Sequence, residues 1–408
     1  MTLSTSAAGL TAQRPFVLFL LARICATSAL QMLAVSVGWQ VYQLTGSAFD
    51  LGLIGLAQFV PAVLFALIAG HVADRYHRGR VVRLAQALAA VIAACLAAGT
   101  AGGWITREMI LALVFALGVA RAFELPTMLA LLPGLVPARL LARAVAASAS
   151  ANQSATIVGP AVGGLLYALS PTAAYTSAFA LYLAAGVLIA LIKVQRPDAV
   201  REPVAFSILF AGIRFIVRNP VILGAISLDL FAVLLGGVTA LLPIFARDVF
   251  DVGPWGLGLL RAAPAAGALT IALLLARWPL PGRAGMKMFA AVAIFGIATI
   301  VFAISGSFLV AMIALAVLGA ADMVSVVVRQ TLVPLLTPDD MRGRVNAVSS
   351  MFVGTSNQLG DFRAGATAEL FGATGAVLLG GIGTLLVVAI WMKLFPALAR
   401  VDRLDGSP

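Results

Sequence analysis

The sequence has few of the side chains with which enzymes do chemistry. It contains only two histidines and two cysteines among 408 residues. Neither histidine lies in an HExxH motif, no GxSxG or GxxxxGK[ST] motif occurs, and Cys25 and Cys95 belong to no CxxC pair. These absences argue against an enzyme and against ATP hydrolysis by this chain. We therefore expect no enzymatic activity, no bound metal and no cofactor.

Charge is also scarce. Only 11% of the residues are charged, whereas 62% are hydrophobic and the mean hydropathy is +1.06. A soluble protein of this size could not hide so much apolar surface. Apolar runs alternate with short polar breaks, and each run has the ~20 residues that an α-helix needs to cross the bilayer. The longest segment between runs, 194–219, is too short for the soluble domain expected of a receptor or scaffold.

The apolar runs predict an all-α membrane protein with twelve transmembrane helices. The predicted spans are roughly 15–43, 50–73, 81–102, 107–131, 144–169, 172–193, 219–246, 254–276, 286–305, 307–330, 343–369 and 374–395.

The basic residues test this count. With the N-terminus in the cytosol, the external loops hold only Arg107 and Arg247. Five arginines lie inside spans, so the other twenty of the 27 basic residues fall in cytosolic segments. Because Lys and Arg concentrate on the cytosolic side of membrane proteins, this distribution predicts that both termini are cytosolic. The arginines inside spans are Arg23, Arg121, Arg261, Arg329 and Arg363.

The two halves of the chain resemble each other. A shift of 203 aligns GLAQFVPAV (55–63) with GLLRAAPAA (258–266), and a shift of 201 aligns VPARLLARAVA (136–146) with TPDDMRGRVNA (337–347). Two six-helix bundles in the same orientation are a known plan of transporters. We predict pseudo-symmetric bundles at 1–193 and 219–408.

A cytosolic linker, 194–218, joins the predicted bundles. Its second part, FSILFAGIRFIVR, carries apolar residues at helical spacing and arginines on the other side. This pattern indicates an interfacial amphipathic helix. The apolar residues are Phe206, Phe210, Ile213 and Val217, and the arginines are Arg214 and Arg218.

Three motifs connect the chain to a known family. The loop GHVADRYHRGRVVR (70–83) concentrates charge, span 5 carries GPAVGG (159–164), and span 11 carries MRGRVNAVSSMFVGTSNQLGDFRAG (341–365). The loop resembles the signature between spans 2 and 3 of the major facilitator superfamily, with His77 in place of a usual glycine. GPAVGG resembles that superfamily's antiporter motif. The span 11 stretch, with ARAFELP (120–126), is similar to the branch of enterobactin exporters and macrolide-type efflux proteins.

The resemblance implies transport by alternating access, with roles for two of these motifs. In the loop it implies a lock between Asp74 and the start of span 11 near Gly343, which holds the cytosolic side closed. The alternative is that the loop's charges only keep it in water. The gating residues implied are Gly70, Asp74, Arg75, Arg78, Arg80 and Arg344.

For GPAVGG the resemblance implies a bend that limits leak and favours export. Pro160 removes a backbone donor, which bends a helix, and Gly159, Gly163 and Gly164 permit close helix contact. Ordinary helix packing is the alternative interpretation.

Charged residues inside the predicted spans are candidates for proton coupling, because a charge at mid-span costs ~2.5–3.5 kcal/mol and usually lines a cavity or pairs. Asp229 lies about ten residues into span 7, ~15 Å deep at 1.5 Å per residue. We predict that it is the main proton-coupling residue, tuned by Arg23. Alternatively, it is a structural partner of Arg23, Arg261 or another arginine within the membrane. Glu124, Asp322 and Asp361 are the further candidates for coupling.

Other intramembrane polar residues are candidates for pairing or for contact with substrate. Arg121 and Glu124 are close enough along a helix to pair, and the 201 shift places Arg121 over Asp322. An ion pair between the halves near a cytosolic gate is one interpretation for these residues and Arg329, and coupling or substrate contact is the other. Asp361 and Arg363 cannot share a helix face, so at least one needs a partner elsewhere. The candidates for lining a substrate cavity are Arg23, Gln31, Arg121, Arg261 and Asn357.

We expect a proton-coupled exporter of a small lipophilic or siderophore-like compound. A proton-coupled uptake symporter and a lipid flippase are the alternatives. The expected partners are the small-molecule substrate, protons and the lipid bilayer, and nucleic acid is not expected. We expect a monomer in the bacterial cytoplasmic membrane.

Overall fold

Long helices make up nearly all of the described chain. The computed structural model describes residues 9–10, 12–192, 206–278 and 282–402, and no strand occurs among them. The helices of the first half are α1 (Arg14–Thr45), α2 (Ala48–Arg75), α3 (Arg78–Ala101), α4 (Arg107–Leu131), α5 (Leu141–Leu169) and α6 (Pro171–Ala190). Those of the second half are α7 (Phe206–Arg218), α8 (Pro220–Gly236), α9 (Pro254–Arg277), α10 (Ala284–Ile304), α11 (Phe308–Leu335) and α12 (Asp339–Leu394).

Ten helices of the described chain are long and apolar enough to cross a membrane. The 56-residue α12 counts once among them, although the chain turns inside it at Gly372, where φ is +73° and ψ is 165°. L side chains rarely adopt this conformation, whereas glycine does so readily. The 29-residue α5, which is rich in Ser, Asn and Gln, is not among the ten. With α12 divided at Gly372 and α5 added, the structure is consistent with twelve spans.

The helices cluster in two compact units. Unit 1 consists of Met1–Thr45, Ala57–Pro203 and Gly253–Ala262, and unit 2 consists of Gly46–Leu56, Val204–Val252 and Ala263–Pro408. The boundaries at 193 and 219 predicted for the two bundles stay a prediction. In unit 1, α1 packs on α5 and α6, and α3 packs on α4 and α6. In unit 2, α8 packs on both parts of α12, and α10 packs on α11 and on the part of α12 after Gly372. This shared packing pattern agrees with the internal repeat in the sequence.

A buried hydrogen-bond network joins three helices of unit 1. Gln40 of α1 donates from Nε2 to Thr100 Oγ1 of α3 at 3.0 Å and accepts from the Tyr175 hydroxyl of α6 at 2.6 Å. Buried polar groups are costly unless they are paired. The network therefore fixes the register of α1 against α3 and α6.

Span 7 differs from its prediction as one continuous helix over 219–246. The α-helix α8 ends at Gly236, Gly237 and Val238 are not helical, and short 3₁₀, α and π turns follow to Val249. Gly236 packs so tightly that a Cβ there would lie 2.5 Å from Phe295 Cε1 and 2.8 Å from Thr384 Oγ1. Broken helices survive in membranes only when other groups satisfy the freed carbonyls. Arg363 does so here, since its Nη2 donates to the Leu235 carbonyl at 2.6 Å.

The predicted interfacial helix coincides with α7. Gly212 and Ile216 pack against Arg344 and Val348 of α12, while Ile213 and Val217 are exposed. Arg214 and Arg218 are also exposed. The remainder of the predicted linker, 194–205, lies outside the described residues, and the helix's place at the membrane surface stays a prediction.

Candidate functional site

Unit 1 contains a cavity lined by ionisable and polar side chains. Its volume is about 200 Å³. Helix α1 supplies Arg23, Thr27 and Gln31, and α4 supplies Arg121 and Glu124. Helices α5 and α6 complete the polar lining, and four apolar residues cover the rest. The other lining residues are Asn152, Thr156 and Tyr182, with Ala26, Leu30, Leu125 and Met128.

Hydrogen bonds hold part of this polar lining in place. Asn152 Oδ1 accepts from Arg23 Nε at 3.4 Å and from Thr27 Oγ1 at 3.0 Å. Glu124 Oε1 accepts from Gln86 Nε2 of α3 at 3.1 Å. Glu124 also interacts electrostatically with Arg23 and Arg121. With all three groups counted as ionised, two guanidinium groups and one carboxylate give this cavity one excess formal positive charge.

The GPAVGG motif forms the α5 side of the contact with α1. A Cβ at Gly159 would lie 2.8 Å from Gln31 Cβ, and one at Gly163 would lie 2.7 Å from Met32 Cα. Gly164 has a different neighbour within unit 1, because a Cβ there would meet the Pro254 carbonyl and Gly258 of α9. Pro160 lies inside the continuous helix α5. The close contact holds α5 against α1, and both helices line the cavity. The export bias stays a prediction.

Unit 2 contains a buried charge cluster between α8 and α11. Asp229 Oδ2 pairs with Arg329 Nη2 at 3.2 Å, and their side chains are only 5% and 7% exposed. Ser325 Oγ donates to Asp229 Oδ1 at 3.4 Å. Asp322, one turn before Ser325, interacts electrostatically with both Asp229 and Arg329. With all three groups counted as ionised, two carboxylates and one guanidinium give this cluster one excess formal negative charge.

Arg329 also lines a second cavity, which lies within unit 2. Its Nη1 donates to Ser349 Oγ of α12 at 3.4 Å, and its Nε is buried without a hydrogen-bond partner among the described residues. The cavity volume is about 570 Å³. The other lining residues are Val326, Gln330, Val333, Pro334, Asn346, Ser349, Ser350 and Val353.

The two cavities occupy equivalent places in the repeat. On the 201 shift, Leu125, Met128 and Asn152 of the unit 1 cavity correspond to Val326, Arg329 and Val353 of the unit 2 cavity. The same shift places Arg121 over Asp322. Each unit therefore presents a cavity at the same position of the repeat, and the unit 2 cavity borders, through Arg329, the cluster with one excess negative charge.

The structure gathers some predicted site residues and separates others. Arg23, Gln31, Arg121 and Glu124 lie together in unit 1, and Asp229 and Asp322 lie together in unit 2. The alternative prediction for Asp229 was pairing with Arg23, Arg261 or another arginine within the membrane, and the arginine observed beside it is Arg329. The sequence did not single out Arg329 as this partner, because the pair joins two different helices, α8 and α11. The prediction of an Asp322–Arg121 pair between the halves stays a prediction.

Three further predicted residues belong neither to the two cavities nor to the unit 2 charge cluster. Arg261 Nη1 donates to the Ala34 carbonyl of α1 at 3.2 Å. Asn357 is exposed and donates to the Val353 carbonyl on its own helix at 2.9 Å. Asp361 packs on Gly55, since a Cβ added at Gly55 would lie 2.8 Å from the Cβ of Asp361. Arg261 and Asn357 donate to backbone carbonyls, and Asp361 packs on a glycine. Residue identity does not mark a backbone partner of this kind, so the sequence could not predict these contacts.

The gating residues are placed only in part. Gly70 and Asp74 lie near the end of α2, and the Asp74 side chain lies outside what the structure describes. Arg78 Nη1 donates to the Ala130 carbonyl of α4 at 2.9 Å, and Arg75 and Arg80 are exposed. Arg344 is exposed and its Nη1 lies 3.5 Å from Met341 Sδ. The lock between the halves therefore stays a prediction.

Among the contributors that sequence reasoning missed are Gln86, Asn152, Ser325 and Ser349. All are neutral and lie inside helices, where such residues are common packing elements. A signal was nevertheless present for Asn152. It lies in the polar stretch SASANQSAT, which is unusual inside a predicted span.

Comparisons with known proteins agree with the fold and the motifs. The enterobactin exporter EntS of Salmonella typhi is 28% identical over 376 residues, which covers 90% of this chain and 85% of that protein. An Escherichia coli exporter of the same name is 28% identical over 372 residues, with 90% and 84% covered. A bacterial homologue of the lysosomal transporter Spinster has a TM-score of 0.72 at 13% identity and covers 98% of each chain. The nucleoside transporter NupG has a TM-score of 0.70 at 14% identity, with 93% of this chain and 99% of that chain covered.

The structural similarities, at such low identity, show the fold alone. The helical architecture and these comparisons define a multi-pass membrane transporter with the fold of the major facilitator superfamily. Within that class, the chain belongs to the transmembrane secretion effector family, whose sequence profile matches residues 5–408.

Proposed function

We propose that this protein is a proton-coupled exporter of a small, partly lipophilic, siderophore-like compound. The observation that carries the proposal is the buried cluster of Asp229, Asp322 and Arg329 in unit 2. Charged groups at membrane depth mark substrate pathways and proton relays. A cluster with one excess negative charge can bind one proton and release it again. A proton-coupled transporter needs a group that does this in each transport cycle.

Export and the substrate class rest on similarity to relatives. The curated relatives are named enterobactin exporters, and the GPAVGG stretch resembles an antiporter motif. Transfer of a relative's substrate is an inference by analogy. We place the protein in the bacterial cytoplasmic membrane as a monomer with both termini cytosolic. It moves its substrate without changing it chemically, and it acts in efflux, with resistance to several drugs as one consequence.

The test uses proteoliposomes with radiolabelled enterobactin and an imposed pH gradient. An antiporter accumulates the compound when the lumen is more acidic than the medium, because protons leaving the lumen drive uptake. A symporter accumulates it only under the opposite gradient. This assignment does not depend on the orientation of the protein in the vesicle, since the gradient alone sets the direction of net coupled flux.

We expect accumulation with an acidic lumen, at least tenfold above protein-free liposomes, and its collapse when a protonophore is added. Accumulation only with an acidic medium would replace export by uptake symport. Movement of labelled phospholipid without accumulation of enterobactin would indicate a flippase. Equal enterobactin levels under both gradients and in protein-free vesicles would refute the siderophore-like substrate.

A further inference from the structure

The unit 1 cavity has the lining of a binding site for an organic anion. Both guanidinium groups interact electrostatically with Glu124, but among the described residues no hydrogen bond is seen for Arg121, and the one seen for Arg23 runs from its Nε to Asn152. Guanidinium groups at membrane depth usually pair or face a cavity. Glu124 is the single carboxylate of the lining, so it balances only one of the two arginines.

The mixture of polar and apolar residues in the lining sets further limits on the ligand. Arg23, Arg121, Asn152 and Thr156 supply polar contacts, while Leu30, Leu125 and Met128 supply apolar ones. Ligand cavities combine an apolar lining with a few polar groups that fix orientation. An amphiphilic ligand with one charged end matches this lining better than a fully polar one.

The charge balance points to a singly charged planar group. Arginine binds carboxylate through two parallel hydrogen bonds, which adds geometric specificity to charge attraction. One such anion would neutralise the single excess positive charge of the lining. The equivalent cavity in unit 2 borders a cluster with excess negative charge. The unit 2 cavity therefore does not favour an anion.

We propose that the unit 1 cavity binds the carboxylate-like monoanionic group of an amphiphilic organic compound through Arg23 and Arg121. Glu124 is the internal competitor of that group for the two guanidinium groups. The proposal rests on the proposed transport function, and it names the chemical class of the transported compound. Asn152 acts as a positioning residue because it holds Arg23.

Binding of benzoate, with benzamide as its neutral isostere, tests the proposal. The purified full-length protein is titrated in detergent, without a pH gradient, and the midpoint of thermal unfolding is followed as ligand is added. We expect saturable stabilisation by benzoate, and an affinity for benzamide at least about tenfold lower. Because no gradient is present, the result is independent of proton coupling and of direction of transport.

Three variants separate ligand contact from a structural role. Arg121→Gln should weaken benzoate binding by about tenfold or more, whereas Arg139→Gln, an exposed arginine outside the cavity, should not change it. Glu124→Gln should tighten benzoate binding several-fold, since the competing carboxylate is gone. A purely structural glutamate would give the opposite result.

Equal affinity for benzoate and benzamide would overturn the proposal, and so would a Glu124→Gln variant that weakens benzoate binding. If Arg121→Gln does not fold, Arg121→Lys keeps the charge but lacks the planar fork, and it should still weaken benzoate binding. Unchanged binding in that variant would count against the proposal. Failure of gradient-driven accumulation in proteoliposomes, with benzoate binding intact, would refute proton coupling and leave the anion site standing.

Discussion

At the scale of single residues, two roles of Asp229 must be separated: proton coupling and the ion pair with Arg329. A buried ion pair contributes little net stability, but removal of one partner costs about 3–5 kcal/mol, because the other charge is left buried and unpaired. Here Asp322 is a second acid near Arg329. It can replace part of the lost partnership, so loss of Asp229 should be less damaging than in an isolated pair.

We expect Asp229→Asn to abolish gradient-driven accumulation of enterobactin while the protein still folds. The asparagine keeps the shape of the side chain and the hydrogen bond with Ser325, but it cannot take up and release a proton. Downhill counterflow exchange should persist within about twofold, because it needs no net proton movement. Measurement of both fluxes in the same proteoliposomes distinguishes coupling from general damage.

The double variant Asp229→Asn/Arg329→Gln is the matched control. The single variant leaves Arg329 without its ion-pair partner, and the double variant removes that charge as well. The double variant should therefore restore any thermal stability that Asp229→Asn loses. If accumulation also returns in the double variant, Asp229 only balances Arg329, and Asp322 or Glu124 becomes the coupling candidate.

At the scale of helices, the contact between α1 and α5 connects the GPAVGG motif to the unit 1 cavity. We expect Gly163→Ala to destabilise the protein by about 1–3 kcal/mol, the usual cost of overpacking. A Cβ there would lie 2.7 Å from Met32 Cα, so α1 must move. Because α1 also carries Arg23, benzoate affinity should fall with stability.

Gly186→Ala in α6 is the matched control, because a Cβ at this position would meet nothing within 4 Å. Alanine favours helix over glycine by roughly 1 kcal/mol, so this variant should be neutral or stabilising in thermal unfolding. Equal stability of the two variants would mean that the α1–α5 contact tolerates a methyl group and does not constrain the cavity.

The helices also show which features of the fold could be predicted from the sequence. Helix positions followed from apolar run length, and the predicted fold and family are confirmed by the comparisons. The break in span 7 could not be read from hydropathy, because its cause is tertiary: Gly236 packs on Phe295 and Thr384, and Arg363 binds the freed Leu235 carbonyl. The pairing of Asp229 with Arg329 likewise depends on how α8 meets α11, which residue spacing along one helix does not encode.

At the scale of the whole molecule, the repeat explains why each unit has a cavity, with excess positive charge in the unit 1 lining and a negatively charged cluster beside the unit 2 cavity. A duplicated bundle supplies the same backbone position twice, and substitutions such as Arg121 against Asp322 then give each copy its own chemistry. The repeat was visible in two short sequence matches, and the shared packing pattern of the units agrees with it. The charge difference between the unit 1 cavity and the unit 2 cluster became visible only when Asp229 was placed beside Arg329.

The orientation of the molecule in the membrane is the last prediction, and cysteine labelling tests it. With both termini cytosolic, exposed positions Trp104 and Gly306 lie in external loops, whereas Ala138 and Leu336 lie in cytosolic ones. The native Cys25 and Cys95 are first replaced by alanine, and one cysteine is introduced at a time.

In intact cells, a membrane-impermeant maleimide should label cysteines at 104 and 306 and should spare those at 138 and 336 until the membrane is opened. The positions at 138 and 336 lie in equivalent segments of the repeat. Two bundles in the same orientation therefore require them to behave alike. Labelling of one but not the other would show that the halves are inverted relative to each other, and it would refute the count of six spans per half.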